Sequence, residues 1–298
     1  VLADLHGILL LDKPLGVSSA GAVARAKHLF GARKAGHTGS LDPLASGMLP
    51  ICFGEATKFG ARLLEADKTY RVTARLGERT PSADRESAVV ERRELPPYSS
   101  AQLTAALASF PRRYAQMPPM HSALKQGGKP LYEYARAGET RERAARTVII
   151  HEMRLCDWRP PDLCFDVRCT KGAYMRVLAE DFAAALGTVA HLAGLRRLGV
   201  APFHEGRQWS FEALESMSAA ERSGVLLPVD AALTAWRRLD LPASGVSAIR
   251  QGRSVPVPDA GADTAPEPVR IYAAGLGFLG LGEIQPPGRL IPLRLISA

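Results

Sequence analysis

Gly36-His37-Thr38-Gly39-Ser40-Leu41-Asp42-Pro43-Leu44-Ala45-Ser46-Gly47 confines one carboxylate between glycines and a proline, in a stretch that cannot form a regular helix. The three glycines permit positive φ, and Pro43 fixes its own φ while steering Asp42 away from the helical region. A chain constrained in this way aims a side chain into a cleft. Asp followed by Pro is on its own an ordinary turn initiator, so the surroundings of Asp42 decide what it does.

Upstream, Ile8 to Leu11 reads as a short buried strand. Ser18 or Ser19 caps a helix running to about Phe30, where Gly31 ends it. Downstream, Glu55 to Leu64 reads as one helix with Phe59 and Leu63 on a single face, and Tyr70 to Leu76 alternates as a half-buried strand does. Ser99 with Gln102 forms a capping box for a helix to about Ser109, which Pro111 terminates. Thr147 to Trp158 and Leu163 to Cys169 are further strands, Arg176 to Leu186 a helix, and Val189 to Leu198 a mixed segment entering another strand. Strands and helices mingle without a regular strand-helix-strand repeat, which gives an α+β class with a mixed, largely antiparallel sheet. From about Arg237 short apolar runs alternate with prolines, the pattern of a small β-rich domain with one mobile loop at Asp259 to Pro268. The domains are thus 1–236 and 237–298.

The 298 residues, 46% of them hydrophobic, are enough for one large core and one small one. A net charge of +8 suits a polyanionic partner without naming it. The charge is uneven. Between 112 and 146 eight cations, among them Lys125, Lys129 and Arg136, face only Glu133, Glu139 and Glu142, with Tyr114, Tyr132 and Tyr134 interleaved. Cys52, Cys156, Cys164 and Cys169 form no C-x-x-C pair, so they read as core residues in a reducing compartment. The histidines show no metal-ligand spacing, and no metal is expected. The apolar run Ile8 to Leu11 stops at Asp12 and Lys13, and no window has the length of a membrane span, so a cytoplasmic protein with no membrane partner is expected.

The Asp42 loop resembles the catalytic loop of the TruB family of tRNA pseudouridine synthases. The resemblance extends from Gly7-Ile8-Leu9-Leu10-Leu11-Asp12-Lys13-Pro14 to Leu195-Arg196-Arg197-Leu198 and weakens over the last sixty or so residues. It implies a pseudouridine synthase catalytic domain in which Asp42 is the nucleophile, Arg176 holds that carboxylate, and the Tyr70 ring stacks on the target base while its hydroxyl serves proton transfer. Tyr174 and Leu195 would line the uracil pocket. His37 would contact the nucleic acid where an extruded base has departed. Lys13 and Pro14 match a signature that supports the loop.

Met120 to Lys125, with Gly127, Gly128 and Leu131 to Arg136, resembles the family's thumb insertion, spanning about 112–146, whose Lys125, Lys129 and Arg136 would neutralise phosphates of the tRNA T-arm and T-loop. The carboxy-terminal region would be PUA-like. The resemblance further implies uridine 55 as the target, with no cofactor, no guide RNA and a single chain acting alone. Two alternatives stand beside it: a guide-RNA-dependent synthase of the same superfamily, and a tRNA-folding or binding module in which catalysis is incidental.

Overall fold

The computed structural model describes residues 4–122, 124–257 and 265–297. Its principal sheet has eight strands. Seven lie in the spatial order Gly7–Lys13, Ala45–Phe53, Ala190–Val200, Lys68–Leu76, Asp162–Cys169, Arg146–Arg159 and Arg113–Gln116, and Ala35–His37 pairs off this path with Ala45–Phe53. Its neighbours are antiparallel except at one junction, where Leu195, Arg196 and Arg197 run parallel to Ala45, Ser46 and Gly47. The sheet is therefore mixed and largely antiparallel, and the α+β reading holds.

Alternation in the sequence becomes sidedness in the sheet. Lys68, Tyr70, Val72, Ala74 and Leu76 are buried along one strand, and Leu163, Phe165 and Val167 along its neighbour. That face packs on Leu178 and Phe182 of the helix Met175–Ala185 and on Leu103 and Leu107 of Ser100–Ser109. The latter helix carries the expected capping box, Ser99 with Gln102. Ser18 caps Ser19–Leu29, whose Ala22 and Ala26 pack against Leu9, Leu11, Leu49 and Ile51.

Three expectations need correction. Glu55 to Leu64 is not one helix. A 3-10 turn, Gly54–Lys58, breaks at Phe59 before a separate helix Gly60–Glu65. The single face is split because its two large residues have different partners: Phe59 packs with Leu233 and Leu281, while Leu63 packs with Ile8, Leu10 and Met48. Gly36 lies in the strand Ala35–His37 and needs no positive φ, whereas Gly39 and Gly47 adopt φ of 96° and 100°. Cys52 and Cys169 are buried as expected, but Cys156 is exposed where the strand Arg146–Arg159 shifts register against its neighbour.

The second sheet has five strands ordered Arg237–Leu241, Glu267–Ala273, Gly277–Gln285, Arg289–Leu295 and Val255–Pro256. A helix absent from the sequence reading, Ala243–Arg250, lays Val246 and Ile249 on it. Residues 259–264 of the expected mobile loop lie outside the described residues, and its end at Glu267 and Pro268 is already strand. Among the described residues no helix is long and apolar enough to cross a membrane.

Candidate active site

The Asp42 loop is pinned at three points. Ser19, buried at the start of its helix, donates through Oγ to the Leu41 carbonyl (2.9 Å) and accepts from the Leu41 amide (2.7 Å). The Pro43 carbonyl accepts from Gly16, and the Gly39 carbonyl accepts from Arg197 Nη2 (3.1 Å). These ties hold Asp42 out of the loop with its side chain 47% exposed.

Arg176, one residue into the helix Met175–Ala185, is 6% exposed and lies between two carboxylates. Its Nη2 is 2.9 Å from Asp42 Oδ2, and its Nη1 is 3.6 Å from Asp84 Oδ2. Asp84 is itself buried, with Oδ1 already bonded by the Ser82 hydroxyl (2.6 Å) and the Glu86 amide (3.0 Å). The guanidinium is thus neutralised from within by Asp84 and still presents a charged fork to Asp42. Nη2 also donates to the His121 carbonyl (2.6 Å), which ties the basic insertion to this arginine.

Two cavities open beside the Asp42–Arg176 pair. The smaller, about 300 Å³, is walled by Tyr70, Ala173, Tyr174, Leu195, Lys68 and Arg197. The larger, about 510 Å³, is walled by Ser18, His37, Glu86, His121, Tyr132 and Arg136. Ser40, Leu41, Asp42, Ser122 and Arg176 border both. A slot with aromatic and aliphatic walls, bordered by Lys68, Arg197 and the Asp42–Arg176 pair, suits a flat ring with polar edges, and the wider polar cavity suits a sugar-phosphate chain.

Burial sets the proton states. It pushes the Tyr70 phenol and the Tyr174 phenol up, so both stay neutral. It pulls the His37 imidazole down, with Arg197 adding to the effect, and His37 Nδ1 is buried without a partner. Lys13 and Lys68 are pulled down to about 8, chiefly by desolvation and then by the charge of Arg197.

Of the residues expected from sequence, Asp42, Tyr70, Arg176, Tyr174 and Leu195 meet at the smaller cavity, and His37 and Arg136 face the larger one. Lys125 and Lys129 do not reach either. They stand exposed on a two-strand hairpin turning through Gly127 and Gly128. Sequence reasoning missed Lys68, Asp84 and Arg197. Arg197 is 1% exposed and donates from Nε to the Met48 carbonyl (2.7 Å), and Lys68 Nζ donates to the carbonyls of Leu63, Leu64 and Ala66. A buried cation with carbonyl partners leaves no complementary acid in the sequence to reveal it.

Comparison with known proteins meets this geometry from outside. Residues 27–175 match the family model for the TruB family pseudouridylate synthase N-terminal domain. Residues 176–234 match that for the tRNA pseudouridylate synthase B C-terminal domain, and 238–296 that for the C-terminal region of pseudouridine synthase II TruB. A protein of Chromohalobacter salexigens named tRNA pseudouridine synthase B is 46% identical over 98% of this chain and 95% of its own length. One of Burkholderia mallei with the same name is 48% identical over 98% of this chain and 97% of its own. In fold, the chain resembles a chain from the crystal structure of a Cbf5-Nop10-Gar1 complex, with a TM-score of 0.73 and 24% identity over 99% of this chain and 85% of that one. With family models matching residues 27–175, 176–234 and 238–296, and full-length relatives 46% and 48% identical, the chain belongs to the TruB family of pseudouridine synthases.

Proposed function

We propose that this chain isomerises uridine 55 in the T-loop of tRNA to pseudouridine, acting alone and without a guide RNA. The names of the relatives point to tRNA, and the observation that carries the reading is the Asp42–Arg176 pair at the edge of a slot walled by Tyr70, Tyr174 and Leu195. The net reaction breaks the bond from C1′ to N1 of the base, forms one from C1′ to C5, and moves a proton from C5 to N1. Atoms and electrons balance without a cofactor.

The uridine leaves its stack and its base lies in the smaller cavity against the Tyr70 ring. Asp42, held by the Arg176 fork, attacks as the nucleophile, and the slot keeps the detached base close enough to turn and rejoin. Tyr70 enters proton transfer as a neutral phenol, since burial raises its pKa. His37 fills the space the base has left, and Lys125, Lys129 and Arg136 grip phosphates of the T-arm. The domain boundary belongs to the same proposal: residues 1–236 form the catalytic domain, with its thumb insertion at about 112–146, and 237–298 a PUA-like domain. In its support, the last strand of the first sheet ends at Val200 and the second sheet begins at Arg237.

The test is incubation with unmodified tRNA transcript followed by nucleotide-resolution mapping of pseudouridine. Product at position 55 is expected with the wild type and none with Asp42→Asn, which retains tRNA binding. Wild-type inactivity on bare transcript, or single-turnover formation by Asp42→Asn near the wild-type rate, overturns the assignment.

A further inference from the structure

We infer that Gln116 is a positioning residue: its carboxamide holds the backbone of Tyr174, and so fixes both a wall of the base cavity and the start of the helix that carries Arg176. The inference rests on the base-cavity reading above.

Gln116 is the last residue of the strand Arg113–Gln116 and pairs with Arg146 across the rung from which the basic insertion leaves and to which it returns. It is 1% exposed. Its Oε1 accepts from the Tyr174 amide (2.7 Å), and its Nε2 donates to the Tyr174 carbonyl (3.1 Å). An amide can only donate and a carbonyl only accept, so the orientation of the carboxamide is fixed by its partners. The side chain thereby acts as one more strand peptide: it satisfies the Tyr174 amide and adds a second donor to a carbonyl that also accepts from the Leu178 amide (2.9 Å).

The second donor position of Nε2 is also engaged, by the Tyr114 hydroxyl (2.8 Å), on the same strand. The strand thus holds the helix that carries Arg176 at its N-cap residue. Tyr174 is the N-cap of the helix and makes no side-chain cap of its own, so the Gln116 carboxamide is the tie that sets where the helix begins. The Ser19 hydroxyl does the same for Leu41 on the other side of the ion pair. Asp42 and Arg176 are each placed by a side chain clamped on a neighbouring residue's backbone.

Glutamine is the residue type this job requires. Asparagine is shorter by one methylene, and an ionised glutamate accepts from the Tyr174 amide but sets a second acceptor against the Tyr174 carbonyl. Protonated glutamate has one O–H and restores that donation. A carboxyl at so buried a position titrates upward toward neutral pH, which turns Gln116→Glu into a pH-gated version of the clamp.

The experiment compares Gln116→Glu with wild type in single-turnover pseudouridine formation on tRNA between pH 8 and pH 6, with tRNA affinity measured alongside. At pH 8 the variant's turnover is expected to fall about tenfold or more, the scale of one lost buried hydrogen bond, with affinity within about twofold. The ratio of variant to wild-type turnover is expected to climb as pH falls. Wild-type turnover at pH 8, or a deficit that stays constant with pH, overturns the inference. Gln116→Leu supplies a readout on the protein alone: hydrogen exchange at the Tyr174 amide is expected to accelerate at least about tenfold, and unchanged protection overturns the clamp. If the wild type forms no pseudouridine on tRNA, the functional reading fails, while the exchange measurement still judges the clamp.

Discussion

Two groups of cations share this fold and are used in opposite ways. Lys13, Lys68 and Arg197 are buried around the smaller cavity, and their hydrogens go to backbone carbonyls: Pro14 and Val17 for Lys13, Leu63, Leu64 and Ala66 for Lys68, Met48 and Gly39 for Arg197. Lys125, Lys129 and Arg136 stand exposed on the insertion, and among the described residues no carboxylate pairs with them. The buried group ties loops together and is spent internally. The exposed group is left to solvent, and only the proposed function gives it a partner. Arg176 belongs to both kinds, since Asp84 and two carbonyls hold it from inside while Asp42 meets it at the cavity.

The difference is breakable by substitution. Arg197→Met leaves the buried Met48 carbonyl and the half-buried Gly39 carbonyl without their donor, at a cost of about 3 kcal/mol in unfolding free energy. Chemical denaturation measures it, and wild-type stability would show that these ties hold nothing. Arg176→Lys keeps a charge but loses the fork that reaches Asp42 and Asp84 together, and turnover is expected to fall roughly a hundredfold with tRNA affinity nearly unchanged. Single-turnover kinetics that match wild type would remove the fork from the mechanism. The smallest effect is expected on the exposed side. Replacing Lys125, Lys129 and Arg136 together by Ala should leave stability within about 0.5 kcal/mol. Affinity for tRNA should weaken about tenfold, and the log-log salt slope should flatten by about 0.7 to 0.9 for each phosphate no longer neutralised. An unchanged slope would return these three residues to the solvent.

The two groups also differ in how far the sequence announced them. The exposed cations were legible as a charge run with interleaved tyrosines, and Asp42 as a carboxylate fenced by Gly39, Pro43 and Gly47. The capping box at Ser99 and the alternation through Tyr70 to Leu76 were legible because each is a local rule, satisfied within a few residues. Arg197 and Lys68 were read past, since their partners are carbonyls that any residue type supplies. Gln116 is silent for the same reason: Tyr174 is a backbone partner 58 positions away. The break at Phe59 was hidden because it comes from Leu233 and Leu281, which periodicity near Phe59 cannot register.

The insertion leaves and rejoins the sheet at a single rung, Gln116 opposite Arg146, on the outermost strand. Opposed residues in such a pair lie about 5 Å apart, a gap that a two-residue turn spans. The segment between these two residues is therefore joined to the sheet at one rung, and a further tie to the framework is the His121 carbonyl on Arg176. Its exchange, lengthening or removal leaves the strand order untouched, and loop-closure cost grows only slowly with its length. A lineage of such proteins is free to vary this appendage in size and charge while the sheet behind it stays fixed. Grafting a segment of another charge and length onto the same rung is the corresponding route by which an engineer would alter what the catalyst meets on this side.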